Sequence, residues 1–441
     1  MENYNDIKDR SARSVKWVGI AELFIRGIQF VTSLLLARLL VPEDFGVMSL
    51  VFVFINLAYV VFDFGFTSAL IQKKEVSERH FSTTFVAYVV SAGVFIVAVF
   101  LSAPFLAQFF KVPSLRPMLR VLAFIFGFYT LSALPKVMLM RDLHFHRLSR
   151  FQMAGSIGYA IVAISIAWMK GGAWCFIFAA LTEQFIVTLL VINASGWRPS
   201  FDFDWQAFKE LFHFGGNVLA TRIAGYLNTN IPQIIIGRML GTATLGFYTL
   251  AYQLIDFPVQ RISKNILKVM FPAFSRLQDS PREYQEMYQQ TIYFLALITF
   301  PIFIALFLLA PDLVPFLYGE KWLPAVFPLQ VLSGLGLIRS LWTTASVVFL
   351  SKGKPQIELR LQLALLIVLA PALYWAATRG FTVLLMALLV CYTGLLLGGF
   401  IQAMKLVEFP LKKLGRILSL PALASGVFWI IGEGVRQIPL L

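Results

Sequence analysis

Residues 291–310 read TIYFLALITFPIFIALFLLA, twenty consecutive positions without a charged side chain. An α-helix needs roughly 20 predominantly apolar residues to cross the hydrocarbon core of a bilayer. The stretch is a continuous apolar run, whereas the strands of a membrane β-barrel alternate apolar and polar residues. Because a backbone in lipid must satisfy its own hydrogen bonds, this segment is predicted to be a membrane-spanning helix.

Similar apolar stretches recur along the whole chain. They occupy residues 17–36, 45–70, 83–110, 117–139, 151–169, 174–194, 215–239, 243–267, 325–350, 360–378 and 381–404, with a weaker thirteenth candidate near 417–433. Hydrophobic residues make up 59% of the chain and charged residues 14%, against about 45–50% and about 25% in soluble domains. The sequence therefore predicts an all-α polytopic membrane protein.

The formal net charge of +14 would also suit a nucleic-acid-binding protein, so its distribution decides between the two classes. The cations concentrate before the first span and in alternate loops, such as those that contain Lys73 and Arg141. The intervening turn at residues 42–44 has none, although the connection between the third and fourth spans contains Lys111. This is the positive-inside pattern, which predicts a cytoplasmic N-terminus and no nucleic-acid partner.

A repeat with an offset of two hundred residues relates the two halves of the chain. LLLARLL at residues 34–40 matches IIIGRML at residues 234–240, and Gly46 matches Gly246. Six spans separate the copies, so both copies have the same orientation. The repeat predicts two six-helix lobes related by a pseudo-two-fold axis along the membrane normal, with the substrate site between them.

The predicted organisation has four parts. An N-lobe at 1–194 is followed by a cytoplasmic amphipathic linker at 195–212, a C-lobe at 213–404 and a C-terminal segment at 405–441. In the linker, Asp204 is placed to cap a short helix whose apolar side contains Trp205 and Phe208.

Polar side chains form stripes on corresponding spans of the two halves. At about 100° per residue, Glu22, Arg26 and Gln29 share one face of the first span. Ionisable groups at membrane depth are costly and usually face a bundle interior or a water-filled cavity. Such residues can also bond neighbouring helices, and Asp63 fits a proton or cation site as well as a partner for an arginine. The predicted substrate-binding residues are Glu22, Arg26, Gln29, Asn56, Asp63, Arg222, Tyr226, Asn228, Asn230, Gln233, Asp256, Gln260, Lys264 and Arg339.

The residue types of these stripes indicate the class of ligand. Guanidinium groups bind phosphate oxygens in bidentate fashion, and the amides of Asn and Gln both donate to and accept from sugar hydroxyls. A sugar linked to a lipid through pyrophosphate combines the two chemistries, and its hydrocarbon tail could remain in the bilayer. We therefore expect this class of substrate, with no cofactor and with H⁺ or Na⁺ as a possible coupling ion.

Several short stretches, in order along the chain, resemble the polysaccharide-exporting branch of the multidrug/oligosaccharidyl-lipid/polysaccharide flippase superfamily, in particular its colanic acid and teichuronic acid exporters. They include LAR at 36–38, DFG at 63–65, IQKKE at 71–75, YLNTN at 226–230, FPAF at 271–274 and YGEKW at 318–322. The resemblance implies alternating access and movement of undecaprenyl-pyrophosphate-linked repeat units across the bacterial cytoplasmic membrane. It also implies cooperation with a polysaccharide polymerase and other envelope-synthesis proteins. Arg26 has no counterpart in the exporters' usual pattern, so its assignment depends on the helical face alone.

Two other functions compete with this one. Asp202 and Asp204 resemble the metal-binding DxD of sugar-nucleotide enzymes, which would suit a glycosyltransferase or polymerase, and His144 and His146 resemble a pair of metal ligands. Neither pair is surrounded by a soluble catalytic domain. A multidrug exporter of the same superfamily would share the fold, but a cationic cavity would not favour organic-cation drugs.

Overall fold

The computed structural model describes residues 4–62, 64, 66–73, 76–410, 413–421, 423 and 426; for 4–16, 68, 72, 211–222, 261 and 268 it describes the backbone without the side chains. The first half of the chain contains α1 (Tyr4–Leu39), α2 (Pro42–Phe62), α3 (Phe66–Gln72), α4 (Glu78–Phe110), α5 (Leu115–Leu122), α6 (Ile125–Arg141), α7 (Phe145–Trp168) and α8 (Trp174–Ser195). The second half contains α9 (Trp205–Met239), α10 (Gly241–Pro258), α11 (Lys264–Arg276), α12 (Pro281–Tyr318), α13 (Val326–Ser351), α14 (Pro355–Ala377) and α15 (Phe381–Leu406).

The described residues are almost entirely helical and include no strand, which confirms the all-α prediction. Ten helical segments among them are long and apolar enough to cross a membrane, counting α5 and α6 as one segment. The chain is therefore a multi-pass membrane protein. The segments predicted at 215–239 and 243–267 are helical in α9 and α10 but are not among the ten. Most of the candidate at 417–433 lies outside the described residues.

Several predicted spans have different boundaries in the structure. The stretch predicted at 45–70 divides into α2 and α3, and between them Phe64 has a positive φ of 43°, a conformation that interrupts a right-handed helix. The stretch predicted at 243–267 contains a π-helical turn, Val259–Ser263, directly after Pro258. A π turn inserts a residue into the helical repeat. Ser263, the last residue of this turn, is completely buried.

The chain divides into two compact units, Met1–Tyr226 and Leu227–Leu441. The division falls inside α9, because α9 continues as one helix from Trp205 to Met239. Asp204 caps this helix as predicted: its Oδ1 accepts hydrogen bonds from the backbone N–H of Gln206 (2.8 Å) and Ala207 (3.2 Å). The prediction of a separate short helix ending near residue 212 is wrong.

Close helix packing within each unit depends on small residues. In the first unit α7 packs on α8, and a Cβ added at Gly155 would lie 2.7 Å from Val187 Cγ2. In the second unit α13 packs on α12, and a Cβ at Gly336 would overlap the ring of Phe303. Small residues let helices approach closely in lipid, where association relies on van der Waals contact.

Asp44 connects two turns of the first unit. Its Oδ2 accepts the backbone N–H of Val41 (3.3 Å) at the start of α2, and its Oδ1 accepts that of Ala173 (3.0 Å) before α8. The start of α2 is thereby joined to the turn between α7 and α8. These contacts fix the start of α8, which carries one of the polar groups described next.

Candidate functional site

Each unit contains a cluster of charged and polar side chains on its apolar helices. In the first unit the cluster begins on α1, where Arg26 binds two neighbours on the same helix face. Its Nε and Nη2 donate to Glu22 Oε1 at 3.2 and 3.1 Å, and its Nη1 donates to Gln29 Oε1 at 2.5 Å. The side chains of Arg26 and Glu22 remain 34% and 42% exposed, so this pair is held in place but accessible.

Two charged residues that the sequence analysis missed complete this first cluster. Glu183 on α8 accepts a hydrogen bond from Ser156 Oγ on α7 (3.4 Å) and lies within electrostatic reach of Arg26 and Lys136. Lys136 on α6 lies over the ring of Tyr129, 5.8 Å from its centroid. Both residues interrupt predicted spans, at 174–194 and 117–139, and this signal alone could have identified them.

The second cluster, in the second unit, is centred on Arg339 of α13. Its Nη2 donates to Asp256 Oδ1 (3.1 Å) and its Nη1 to Tyr252 Oη (2.9 Å), both on α10. Gln260 donates to the same Asp256 oxygen at 3.4 Å. The side chains of Arg339 and Asp256 are only 16% and 27% exposed, so this pair is more enclosed than the one formed by Arg26 and Glu22.

An amide-rich extension of the second cluster lies beside α14. Asn228 Nδ2 donates to the backbone carbonyl of Gln362 (2.8 Å), and Tyr392 Oη donates to the carbonyl of Asn228 (2.7 Å). Gln362 and Ser346 both donate to Glu358 Oε1, at 3.4 and 2.9 Å. Among the described residues, the buried side-chain oxygens of Asn228 and Gln362 accept no hydrogen bond, so each is an acceptor without a protein donor in this conformation.

Among the described residues, the formal charges balance within each cluster. Lys264 is within electrostatic reach of Arg339, Asp256 and Glu358, which gives the second cluster two cations and two carboxylates. The first cluster has the same composition: Arg26 and Lys136 face Glu22 and Glu183. Glu358, like Glu183, was missed by the sequence analysis. Opposite charges held together in this way offset part of the cost of taking each charge out of water.

The remaining predicted site residues are distributed as follows. Asn56 is exposed on α2, and Tyr226 donates to the carbonyl of Val53 at 2.6 Å. Asn230 is buried and Gln233 partly buried on α9. Asp63 and the side chain of Arg222 lie outside the described part of the chain. The assignment of all fourteen residues to a substrate site stays a prediction.

The aspartate pair and the histidine pair, which resembled metal-binding motifs in the sequence, have the following contacts in the structure. Asp204 caps α9, and Asp202 accepts a hydrogen bond from Ser200 Oγ at 3.0 Å. The rings of His144 and His146 lie 6.0 Å apart. Within the described ranges no group of three or more His, Cys, Asp or Glu side chains could hold a metal ion.

Proteins of known sequence resemble this chain over most of its length. The chain is 28% identical to the teichuronic acid biosynthesis protein TuaB of Bacillus subtilis (strain 168) over 427 residues, which covers 95% of this chain and 88% of the relative. It is 26% identical to the lipopolysaccharide biosynthesis protein WzxC of Escherichia coli (strain K12), covering 83% and 75% of the two chains. The succinoglycan biosynthesis transport protein ExoT of Rhizobium meliloti (strain 1021) is 24% identical, covering 76% and 67%.

Solved structures have the same fold at low sequence identity. The lipid II flippase MurJ in its inward closed conformation superposes with a TM-score of 0.76 at 13% identity, covering 94% of this chain and 92% of that one. An inward-facing multidrug resistance transporter of the MATE family gives a TM-score of 0.70 at 12% identity, covering 86% and 94%. A family model described as "Polysaccharide biosynthesis protein" matches residues 35–327, two thirds of the chain. Together with its relatives, this match confirms the resemblance found in the sequence: the chain belongs to the polysaccharide biosynthesis protein family of membrane transporters.

Proposed function

We propose that this protein is a flippase that moves lipid-linked polysaccharide repeat units from the cytoplasmic to the outer face of a bacterial cytoplasmic membrane. One observation carries the proposal: among the described residues of this member of a polysaccharide biosynthesis family, each compact unit has one cluster of two cations and two carboxylates on its apolar helices. Such groups are costly in a bilayer and mark a path for polar cargo.

The chemistry of the first cluster suits a phosphate group. Arg26 is about one-third exposed and is held by Glu22 and Gln29, so a pyrophosphate oxygen can replace the Glu22 carboxylate without the guanidinium first losing all of its partners. Guanidinium binds phosphate and carboxylate in the same bidentate geometry. Lys136 supplies a second positive charge, because Arg26 and Lys136 both lie within electrostatic reach of Glu183. We assign the pyrophosphate-linked head group to this cluster.

The second cluster suits sugar. The acceptor oxygens of Asn228 and Gln362, which lack a donor among the described residues, match the hydroxyl groups of a glycan, which donate as well as accept. A coupling H⁺ or Na⁺ would bind the carboxylates of Asp256 and Glu358. Neutralising either carboxylate would weaken its electrostatic attraction to Arg339 or Lys264. In this proposal the protein alternates between access from the cytoplasm and access from the outside, and its N-terminus is cytoplasmic.

The test is reconstitution into liposomes with a fluorescent lipid-pyrophosphate oligosaccharide. The rate at which the glycan moves between leaflets is measured with and without H⁺ and Na⁺ gradients. We expect Arg26→Gln to reduce the rate by roughly tenfold, the equivalent of one charge-assisted hydrogen bond. Arg282→Gln is the matched control, because Arg282 is 93% exposed at the start of α12 and belongs to neither cluster.

The outcomes separate the competing functions. If the folded protein moves the glycan between leaflets no faster than protein-free vesicles do, the flippase proposal is refuted. Lengthening of the glycan, or cleavage of an added sugar nucleotide, would favour an enzyme. Transport of organic cations but not of the glycan would favour a multidrug exporter, whose fold is the same.

A further inference from the structure

A polar pocket of about 710 Å³ lies in the first unit, and none of its lining residues belongs to either cluster. It forms where three segments meet: the connection between α3 and α4, the end of α6, and the first turns of α9. Its charged and titratable lining residues are Lys73, Arg79, His80, Arg141, Asp204 and Glu210. Among the described lining residues, three cations face two carboxylates, so this part of the pocket has a net positive charge before any contribution from His80.

Existing contacts fix most of this lining. Arg141 Nη1 donates to the carbonyls of Leu70 and Lys73, at 2.5 and 2.8 Å, which holds the end of α3. Lys73 Nζ donates to Glu210 Oε2 (2.5 Å) and to His80 Nε2 (2.7 Å). The pocket is therefore built by contacts among separate helices.

One cation in the pocket is available for a ligand. The Arg79 side chain is 81% exposed, and the nearest carboxylate oxygen among the described residues, on Asp204, is 4.0 Å away. That Asp204 carboxylate already accepts two backbone N–H groups at the start of α9. Since these donors and the helix dipole neutralise much of its charge, Asp204 competes weakly with an incoming anion for Arg79.

The surroundings of the pocket match the level of the lipid head groups. The positive-inside pattern places the loops with Lys73 and Arg141 on the cytoplasmic side. Beside the pocket, the side chains of Phe201, Phe203 and Trp205 are 72%, 47% and 59% exposed. Exposed aromatic rings next to basic residues are typical of the interface between hydrocarbon and water.

We propose that this pocket binds the phosphate group of a lipid head group in the cytoplasmic leaflet, with Arg79 as its principal ligand-binding residue and Lys73 and Arg141 as supporting charges. Two lipids could supply that phosphate: an anionic phospholipid of the bilayer, or the pyrophosphate of a lipid-linked sugar before its head group crosses the membrane. Binding here is independent of transport, although the second source depends on the proposed function.

The test is calorimetric titration of the purified full-length protein in neutral detergent with three probes. These are dihexanoyl phosphatidylglycerol, farnesyl pyrophosphate and, as the zwitterionic comparison, dihexanoyl phosphatidylcholine. We expect the protein to bind at least one anionic probe more tightly than phosphatidylcholine, and Arg79→Gln to weaken that binding roughly tenfold. Arg282→Gln, which changes a highly exposed arginine of the second unit, should leave the affinity unchanged. Thermal unfolding checks that both variants fold, and Arg79→Lys should retain part of the affinity.

Each result decides a specific point. If Arg79→Gln loses affinity only for phosphatidylglycerol, the pocket is a phospholipid site. If it loses affinity only for farnesyl pyrophosphate, the pocket is an entry site for the lipid-linked sugar. A loss of affinity for both probes supports a general phosphate site. Unchanged affinity of Arg79→Gln for both anionic probes, or an equal loss in Arg282→Gln, overturns the inference. Glycan flipping without probe binding refutes this site alone, and probe binding without flipping refutes the proposed function alone.

Discussion

Replacing Arg339 with methionine tests whether the second cluster is a tightly coupled ion pair. The change removes the hydrogen bonds to Asp256 (3.1 Å) and Tyr252 (2.9 Å). Asp256 then keeps the weaker donor Gln260 at 3.4 Å. Breaking a fully buried ion pair by removing one partner costs about 3–5 kcal/mol. Because Asp256 is 27% exposed, water can replace part of the loss, and we expect the free energy of unfolding to fall by about 2–3 kcal/mol.

The double variant Arg339→Met/Asp256→Asn separates the ion pair from the lost packing. Once the carboxylate is also neutral, no uncompensated charge remains, so the double variant should be more stable than the sum of the single changes by about 2 kcal/mol. The assay is unfolding in mixed micelles with increasing sodium dodecyl sulfate, followed by tryptophan fluorescence. The exposed pair Arg282–Glu286, with side chains 93% and 64% exposed, is the matched control. Its coupling should stay below about 0.5 kcal/mol. A coupling for Arg339 and Asp256 as small as that of the control would refute this account of the cluster.

Further substitutions test the helix packing and the polar pocket of the first unit. Gly336→Ala should lower the thermal unfolding temperature, because the added methyl group would overlap a side chain of the neighbouring helix. Gly127→Ala is the control: nothing lies within 4 Å of its new Cβ, so its unfolding temperature should not change. Equal unfolding temperatures of the two variants would contradict the observed packing. The pKa of Asp204 is lowered by the backbone N–H groups of its helix cap, and that of Glu210 by its hydrogen bond to the lysine of the pocket. Both carboxylates therefore stabilise the fold above their unfolded-state pKa values, and this contribution is lost as the pH falls through the lowered folded values. Asp204→Asn and Glu210→Gln should each flatten the loss of stability below about pH 5, measured by thermal unfolding, and unchanged pH profiles would show that these contacts do not stabilise the fold.

The extent of prediction differs between fold and site. Asp204 was identified as a helix cap from its position before an apolar face, and the structure confirms it. The length of the helix that it caps was not predictable, because no residue pattern in 205–239 indicates whether the helix ends between the linker and the span. The π turn after Pro258 was equally hidden. A one-residue insertion in a helix is selected by packing against neighbouring helices, so a helical wheel drawn with a regular repeat misplaces the residues beyond it.

The sequence by itself determined that this chain is a multi-pass helical membrane protein, because the cost of unsatisfied backbone groups in lipid leaves long apolar runs no alternative to helices. It also marked Arg26 and Arg339 as unusual, since charges at membrane depth must have partners. Only the tertiary structure decided which partners those are. Glu183 reaches the surroundings of Arg26 from a helix more than one hundred and fifty residues away, and Arg339 binds Asp256 across α10 and α13. Partners on different helices depend on helix packing, which local periodicity does not encode.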